Sequence, residues 1–183
     1  MTTVFKNYLA ASVGTQLAVT TVTASSPTSG SVTLAFANQG TAPFLVGQKI
    51  TVTGITVSGY NGTYTVTGCT ATSVTYTNST TGAATGGTIS PCMVTSNASA
   101  TTTIIGLSIT NVTASIIQVS VQLQDTVAGT TAYFVNNITI PPNTSTRLVN
   151  GGERLVVGPS TNILAWSNFA GSIDVVLSWV EIS

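Results

Sequence analysis

Histidine is absent from this chain of 183 residues, and charge of either sign is scarce: four Lys/Arg and four Asp/Glu make up 4% of the sequence, against about 25% in ordinary soluble domains. No charged residue occurs from Ile50 through Gln124. Proton-transfer chemistry would rest on Asp125, Glu153, Asp174 and Glu181 alone, without the side chain that titrates nearest neutrality. Nucleic acid is not an expected partner, because phosphate neutralisation needs clustered cations and Lys6, Lys49, Arg147 and Arg154 are scattered. No apolar run approaches the roughly 20 residues of a membrane helix, and Met1 to Ala11 lacks the basic-then-apolar pattern of a secretion signal. The expectation is a chain made in the cytoplasm that leaves it, if at all, by assembly into something larger, with no membrane partner.

Cysteine is nearly absent too. Cys69 and Cys92 are the only pair, compatible either with one disulfide or, in a reducing compartment, with two small apolar side chains. A zinc site normally takes four ligands, and no histidine stands by. Neither a Gly-x-Ser-x-Gly elbow, a phosphate loop nor a Gly-rich dinucleotide turn occurs, and a hydroxyl nucleophile without a base is inert. The four carboxylates meet the minimum for glycoside hydrolysis, but with Arg147 and Arg154 in the same part of the sequence, ion pairs within or between subunits are their expected use. The chain is therefore read as non-enzymatic, with no cofactor.

Apolar residues are plentiful, at 43% with a mean hydropathy of +0.45, enough for a real core. The surface must then be Thr, Ser, Asn, Gln and Gly. A net charge of zero removes the self-repulsion that keeps free proteins apart and suits faces covered by other subunits. A Thr-rich extracellular β-protein is the plainer alternative.

Runs of Thr, Val, Ile and Tyr, broken by Gly, Pro, Asn or Ser at roughly eight- to twelve-residue intervals, predict an all-β fold. Ile117, Val119, Val121 and Leu123 alternate with Gln118, Ser120, Gln122 and Gln124, one dry face and one wet. Ile105, Leu107 and Ile109 alternate likewise, and further strands are read at 131–138, 145–149, 153–157, 162–167 and 172–182. In the last, Ile173, Val175, Leu177 and Trp179 share one face while Val176, Val180 and Ile182 share the other, so the strand is either buried on both sides or turned toward a neighbouring subunit. Trp166 and Trp179 are expected as core or interface anchors.

The middle of the chain has a different texture. Residues 25–30 and 95–103 read as linkers, and between them lie candidate strands at 31–37, 49–54, 62–67, 73–77 and 87–95, with Tyr60-Asn61-Gly62 as a turn, a small sandwich in itself. Tyr60 and Asn61 are candidate contacts for a sugar, with Tyr60 stacking as exposed aromatics do, although Tyr64 suits a core. The six Asn-x-Thr/Ser sequons, at Asn61, Asn78, Asn97, Asn111, Asn137 and Asn143, follow from the Thr-rich composition.

Two sets of motifs are familiar. Phe5-Lys6-Asn7, residues 103–111, Ile140-Pro141-Pro142-Asn143, Val149-Asn150-Gly151-Gly152-Glu153-Arg154 and residues 174–182 together resemble a family of small virion structural proteins of tailed phages, notably those of cyanobacteria and marine bacteria. Gly47-Gln48-Lys49-Ile50, Gly59-Tyr60-Asn61-Gly62-Thr63-Tyr64, Ser73-Val74-Thr75-Tyr76 and Gly86-Gly87-Thr88-Ile89 are similar to an immunoglobulin-like module repeated in phage tail and surface proteins. The resemblance implies a β-sandwich assembly domain, residues 1–27 plus 99–183, interrupted by an inserted immunoglobulin-like β-sandwich at 28–98. It also implies a place in the virion, as a capsid decoration protein or a neck or tail component. The expected partners are further copies of the chain, as a trimer or hexamer, and other virion proteins, with Arg147, Glu153, Arg154, Asp174, Val176, Val180 and Ile182 as subunit contacts. The alternative is recognition of a host-surface glycan through the inserted module.

Overall fold

A computed structural model describes every residue except Met1 and 25–29. The chain is all-β, with fourteen strands and one 3₁₀ turn at Ser58–Tyr60 among the described residues. It divides into two compact units: unit 1 is Met1–Val13 with Met93–Ser183, and unit 2 is the continuous stretch Gly14–Cys92.

The first sheet of unit 1 runs β1 (Thr3–Val13), β14 (Ile173–Ile182), β8 (Thr101–Asn111), with β11 (Ser145–Val149) and β12 (Leu155–Val157) sharing the far side of β8. The second runs β10 (Thr130–Ile140), β9 (Ile117–Asp125), β13 (Thr161–Ser167), β7 (Thr88–Thr95), of which Met93–Thr95 belong to this unit. The orders β1-β14-β8-β11 and β7-β13-β9-β10 are those of an eight-stranded jelly roll. Period-two alternation explains the packing. Ile104, Leu107 and Ile109 of β8 and Ile173, Val175, Leu177 and Trp179 of β14 meet Val119 and Val121 of β9 and Ile163 of β13 in one buried cluster.

Two of the polar side chains buried within this unit, Asn111 and Ser120, are hydrogen-bonded where a ladder ends or slips. Asn111, with no exposed surface, donates through Nδ2 to the carbonyls of Ser115, Ile140 and Pro141 at 2.8–3.1 Å and accepts through Oδ1 from Thr113 N at 2.9 Å. It ties the β8–β9 loop to the turn after β10. Ser120 lies on the face of β9 expected to be wet, yet is buried. The ladder of β10 slips twice, between Tyr133 and Ile138, and Asn137 N, at a φ of 52°, donates to Ser120 Oγ at 3.0 Å.

In unit 2 the strands β2 (Leu17–Ala24), β3 (Ser31–Phe36), β4 (Lys49–Thr53), β5 (Gly62–Cys69), β6 (Ser73–Thr77) and the first part of β7 pair in the order β2-β3-β6-β5-β4-β7 and back to β2. The expected small sandwich is thus a closed antiparallel ring, which leaves no sheet edge open among the described residues. Val32, Leu34, Phe36, Ile50, Val52, Val66, Val74 and Tyr76 fill it. Gly87, at a φ of +90°, allows a close backbone approach: a Cβ there would lie 2.7 Å from the Thr53 carbonyl oxygen.

The unit boundaries fall at 13/14 and 92/93 rather than at the expected 27/28 and 98/99. β2 is the reason at the first: it pairs with β3 from Val19↔Phe36 to Ala24↔Val32, so the ladder draws residues 17–24 into unit 2. Of the linker expected at 25–30, residues 25–29 lie outside the described residues. The linker expected at 95–103 is a tight connection inside unit 1, where buried Ser96 donates from Oγ to the Gly158 carbonyl and accepts from Thr161 N, both at 2.7 Å, and β8 begins at Thr101.

Replacing Asn111 by alanine removes a buried donor from three carbonyls, of which Ser115 and Pro141 keep the hydroxyls of Thr113 and Thr144. Urea denaturation followed by tryptophan fluorescence is expected to register a loss of about 3 kcal/mol.

Candidate functional site

Alternation along β14 leaves Asp174, Val176, Ser178, Val180 and Ile182 on the side of the sheet away from the core. The register extends this face across its neighbours. Phe5 lies opposite Val180 and Leu9 opposite Val176; on the other flank Ser108 lies opposite Val176 and Gly106 opposite Ser178, and Arg147 of β11 lies opposite Ser108. The β8 ladder slips between Ser178 and Trp179, which turns Ile105 outward. Phe5 is 75% exposed, Leu9 69%, Val176 45% and Ile105 39%. Scattered exposed apolar residues need no explanation; here they are joined in one patch on the face of one sheet.

Gly106 forms the floor of a shallow groove of about 200 Å³ between Ile105, Val176, Ser178 and Arg147. A Cβ at Gly106 would meet only the Ser178 Cβ, at 3.9 Å, so the glycine opens the groove without being demanded by packing. The face is apolar at its centre, with Arg147 and Asp174 on its rim.

Of the residues expected as subunit contacts, the structure brings Arg147, Asp174, Val176, Val180 and Ile182 onto this face. Glu153 and Arg154 precede β12 and line a different groove, with Phe134, Leu148, Val149 and Leu155. Among the described residues neither arginine forms an ion pair within the chain. That pair is Lys6–Glu181, at 2.6 Å. Phe5, Leu9 and Ile105 escaped the sequence reading because β1 carries apolar residues on both faces and Ile105 reaches the surface only through the β8 slip.

Three of the four carboxylates are separately engaged. Asp125 accepts from Val127 N and Ala128 N, at 2.8 and 2.9 Å, and so holds the β9–β10 turn. Asp174 accepts from Ser12 N at 2.9 Å, where the β1 backbone reaches a φ of 52°. Glu181, on the core-facing side of β14, receives Lys6 Nζ and, at 2.9 Å, Trp179 Nε1. Hydrogen bonds from Lys6 and then Trp179 lower its carboxyl pKa against the opposing effect of burial. Among the described residues no group of three or more His, Cys, Asp or Glu stands together to hold a metal.

The sugar contacts expected in unit 2 are corrected by its packing. Tyr60 is completely buried, and its hydroxyl donates to the Gly82 carbonyl at 2.7 Å. The Asn61 amide accepts from Ile55 N at 2.9 Å and donates to Ile55 O at 3.1 Å. Tyr64 stacks on Tyr76 with centroids 4.2 Å apart, and the Tyr76 hydroxyl donates to the Tyr60 carbonyl. Burial raises the pKa of both the Tyr76 and Tyr64 phenols. The Tyr-Asn-Gly-Thr-Tyr run is a clasp that pins the 55–61 loop to the ring. Cys69 and Cys92 are not joined by a disulfide.

Because the Glu181 pKa is lowered by folding, its contribution to stability is complete above the unfolded value and is lost as pH falls through the folded one. Thermal melts from pH 7 down to pH 2 should show wild type losing more stability on acidification than Glu181→Gln, the curves diverging below about pH 4.5.

Comparison of the chain with protein-family models, with curated proteins and with solved structures gives no match in any of the three.

Proposed function

We propose that the chain is a non-enzymatic structural component of a tailed-phage particle, acting through repeated subunit contacts of its jelly-roll unit. The observation that carries this reading is the exposed apolar face around Phe5, Leu9, Ile105 and Val176 in a chain with eight charged side chains. Such a face on a weakly charged protein is a liability alone and an asset when neighbours cover it. The resemblance of residues 103–111, 140–143, 149–154 and 174–182 to small virion proteins supports the same assignment. The fold itself is neutral evidence, since jelly rolls serve many functions.

Decoration of the shell and a place in the neck or tail are both compatible with this face, and a symmetric homo-oligomer, trimeric or hexameric, is the expected working form. The glycan-recognition alternative has lost the residues that motivated it, Tyr60 to the ring interior and Asn61 to Ile55.

Quantitative mass spectrometry of purified particles tests the assignment. The chain should be present in stoichiometric amounts, with copy numbers on the order of hundreds for a shell component or about six or twelve for a neck or tail component. Its absence from particles would overturn the proposal.

A further inference from the structure

The ring of unit 2 has no edge, but the sheets of unit 1 do, and their edges differ. β10 is slipped twice along its ladder, and β11 and β12 have five and three residues. Bulges and shortness are the ordinary ways in which an edge is kept from pairing with another chain. β1 has neither defence over most of its length: Thr3 to Ala10 keep one register with β14, and the irregularity comes only between Ala10 and Val13. It contains no proline, and its one charged residue, Lys6, is neutralised by Glu181.

The ladder also fixes which backbone groups are open. Thr2 and Ser183 exchange both of their backbone hydrogen bonds, at 2.7 and 3.1 Å. An antiparallel ladder alternates in steps of two, so Val4, Lys6, Tyr8 and Ala10 turn their amides and carbonyls to β14, while Thr3, Phe5, Asn7 and Leu9 turn theirs away. All four of these outward residues are exposed.

We propose that β1 pairs antiparallel with β1 of a second copy about a two-fold axis at Asn7, joining two jelly-roll sheets edge to edge; this rests on the assembly role proposed above. Three conditions restrict the register, and the cross-strand pairing of Phe5 with Leu9 selects among those that remain. Outward-turned residues must oppose one another, both exposed faces must lie on one side, and the two Lys6 side chains must not meet. Placing Asn7 opposite Asn7 of the second copy satisfies all three: Phe5 falls opposite Leu9, Lys6 opposite Tyr8 and Thr3 opposite Ala11. A shift of one residue in each copy toward the amino terminus sets Lys6 against Lys6. In the favoured register the 5–9 segments form about six backbone hydrogen bonds, Phe5 and Leu9, the most exposed large apolar side chains of β1, become cross-strand partners, and the apolar faces merge into one surface. The contact is isologous, as a two-fold dimer requires, and uses strand addition for affinity. A trimer or hexamer of the proposed particle would then be reached through other contacts.

Light scattering of the full chain after size exclusion, with disulfide trapping, tests this. Wild type should reach twice the monomer mass of 18.5 kDa. Asn7→Pro removes only an outward amide, so the variant should melt like wild type while its self-association weakens by about thirty-fold, the loss of one hydrogen bond from each copy. Under mild oxidation Asn7→Cys should form a cross-linked dimer and Thr3→Cys should not, with wild type as the control for Cys69. Unchanged association in Asn7→Pro, or equal cross-linking at Thr3 and Asn7, would overturn the pairing. Should the proline variant not fold, the cysteine variants decide. A chain found in particles but monomeric and uncross-linked in solution overturns the edge pairing alone; a dimer absent from particles overturns only the virion assignment.

Discussion

Backbone hydrogen bonding carries the burden that charged side chains share in most proteins. Eight charged residues leave the antiparallel ladders, supplemented by hydroxyls and amides, to satisfy the polar groups that folding buries. Asn111, Ser120 and Ser96 each close gaps where a ladder ends or slips. Among the described residues the Thr102 hydroxyl is the one buried side-chain polar atom without a partner. A fold held this way is strong wherever strands have neighbours on both sides and open where they do not, so the free edge and free face of the first sheet are where its chemistry remains unspent.

The two units answer that constraint differently. Unit 2 closes its six strands into a ring and plugs the 55–61 loop with Tyr60, Asn61 and Tyr64, which leaves no edge for a partner. Unit 1 stacks two open sheets and buries one side of each. The charged residues follow the same division: Lys49 is the only one in unit 2, whereas unit 1 holds the Lys6–Glu181 pair and the carboxylates that steady its turns.

Strand positions were largely legible because alternation and turn residues are local signals. The expected strands at 145–149 and 73–77 coincide with β11 and β6, and 31–37 and 49–54 end one residue beyond β3 and β4. What was not legible depends on partners distant in sequence. The place of β2 is one example: nothing in residues 17–24 announces that they pair with 32–36. Tyr60 is another, since a turn with an aromatic resembles a binding loop until the fold brings the Gly82 carbonyl to its hydroxyl. The assembly face was half visible: the two apolar sides of β14 could be read directly, but Phe5 and Leu9 join Val180 and Val176 only through the β1–β14 register.

The central claim is that the outer face of the first sheet is covered when the protein works. Hydroxyl-radical footprinting of the free chain and of the chain in purified particles measures that directly, side chain by side chain. Oxidation of Phe5, Leu9, Ile105 and Val176 should be lower in the particle than in the free chain, while that of Val127 and Phe169, 82% and 56% exposed outside the face, should change less. A particle in which the four residues react as they do in the free chain would contradict the account.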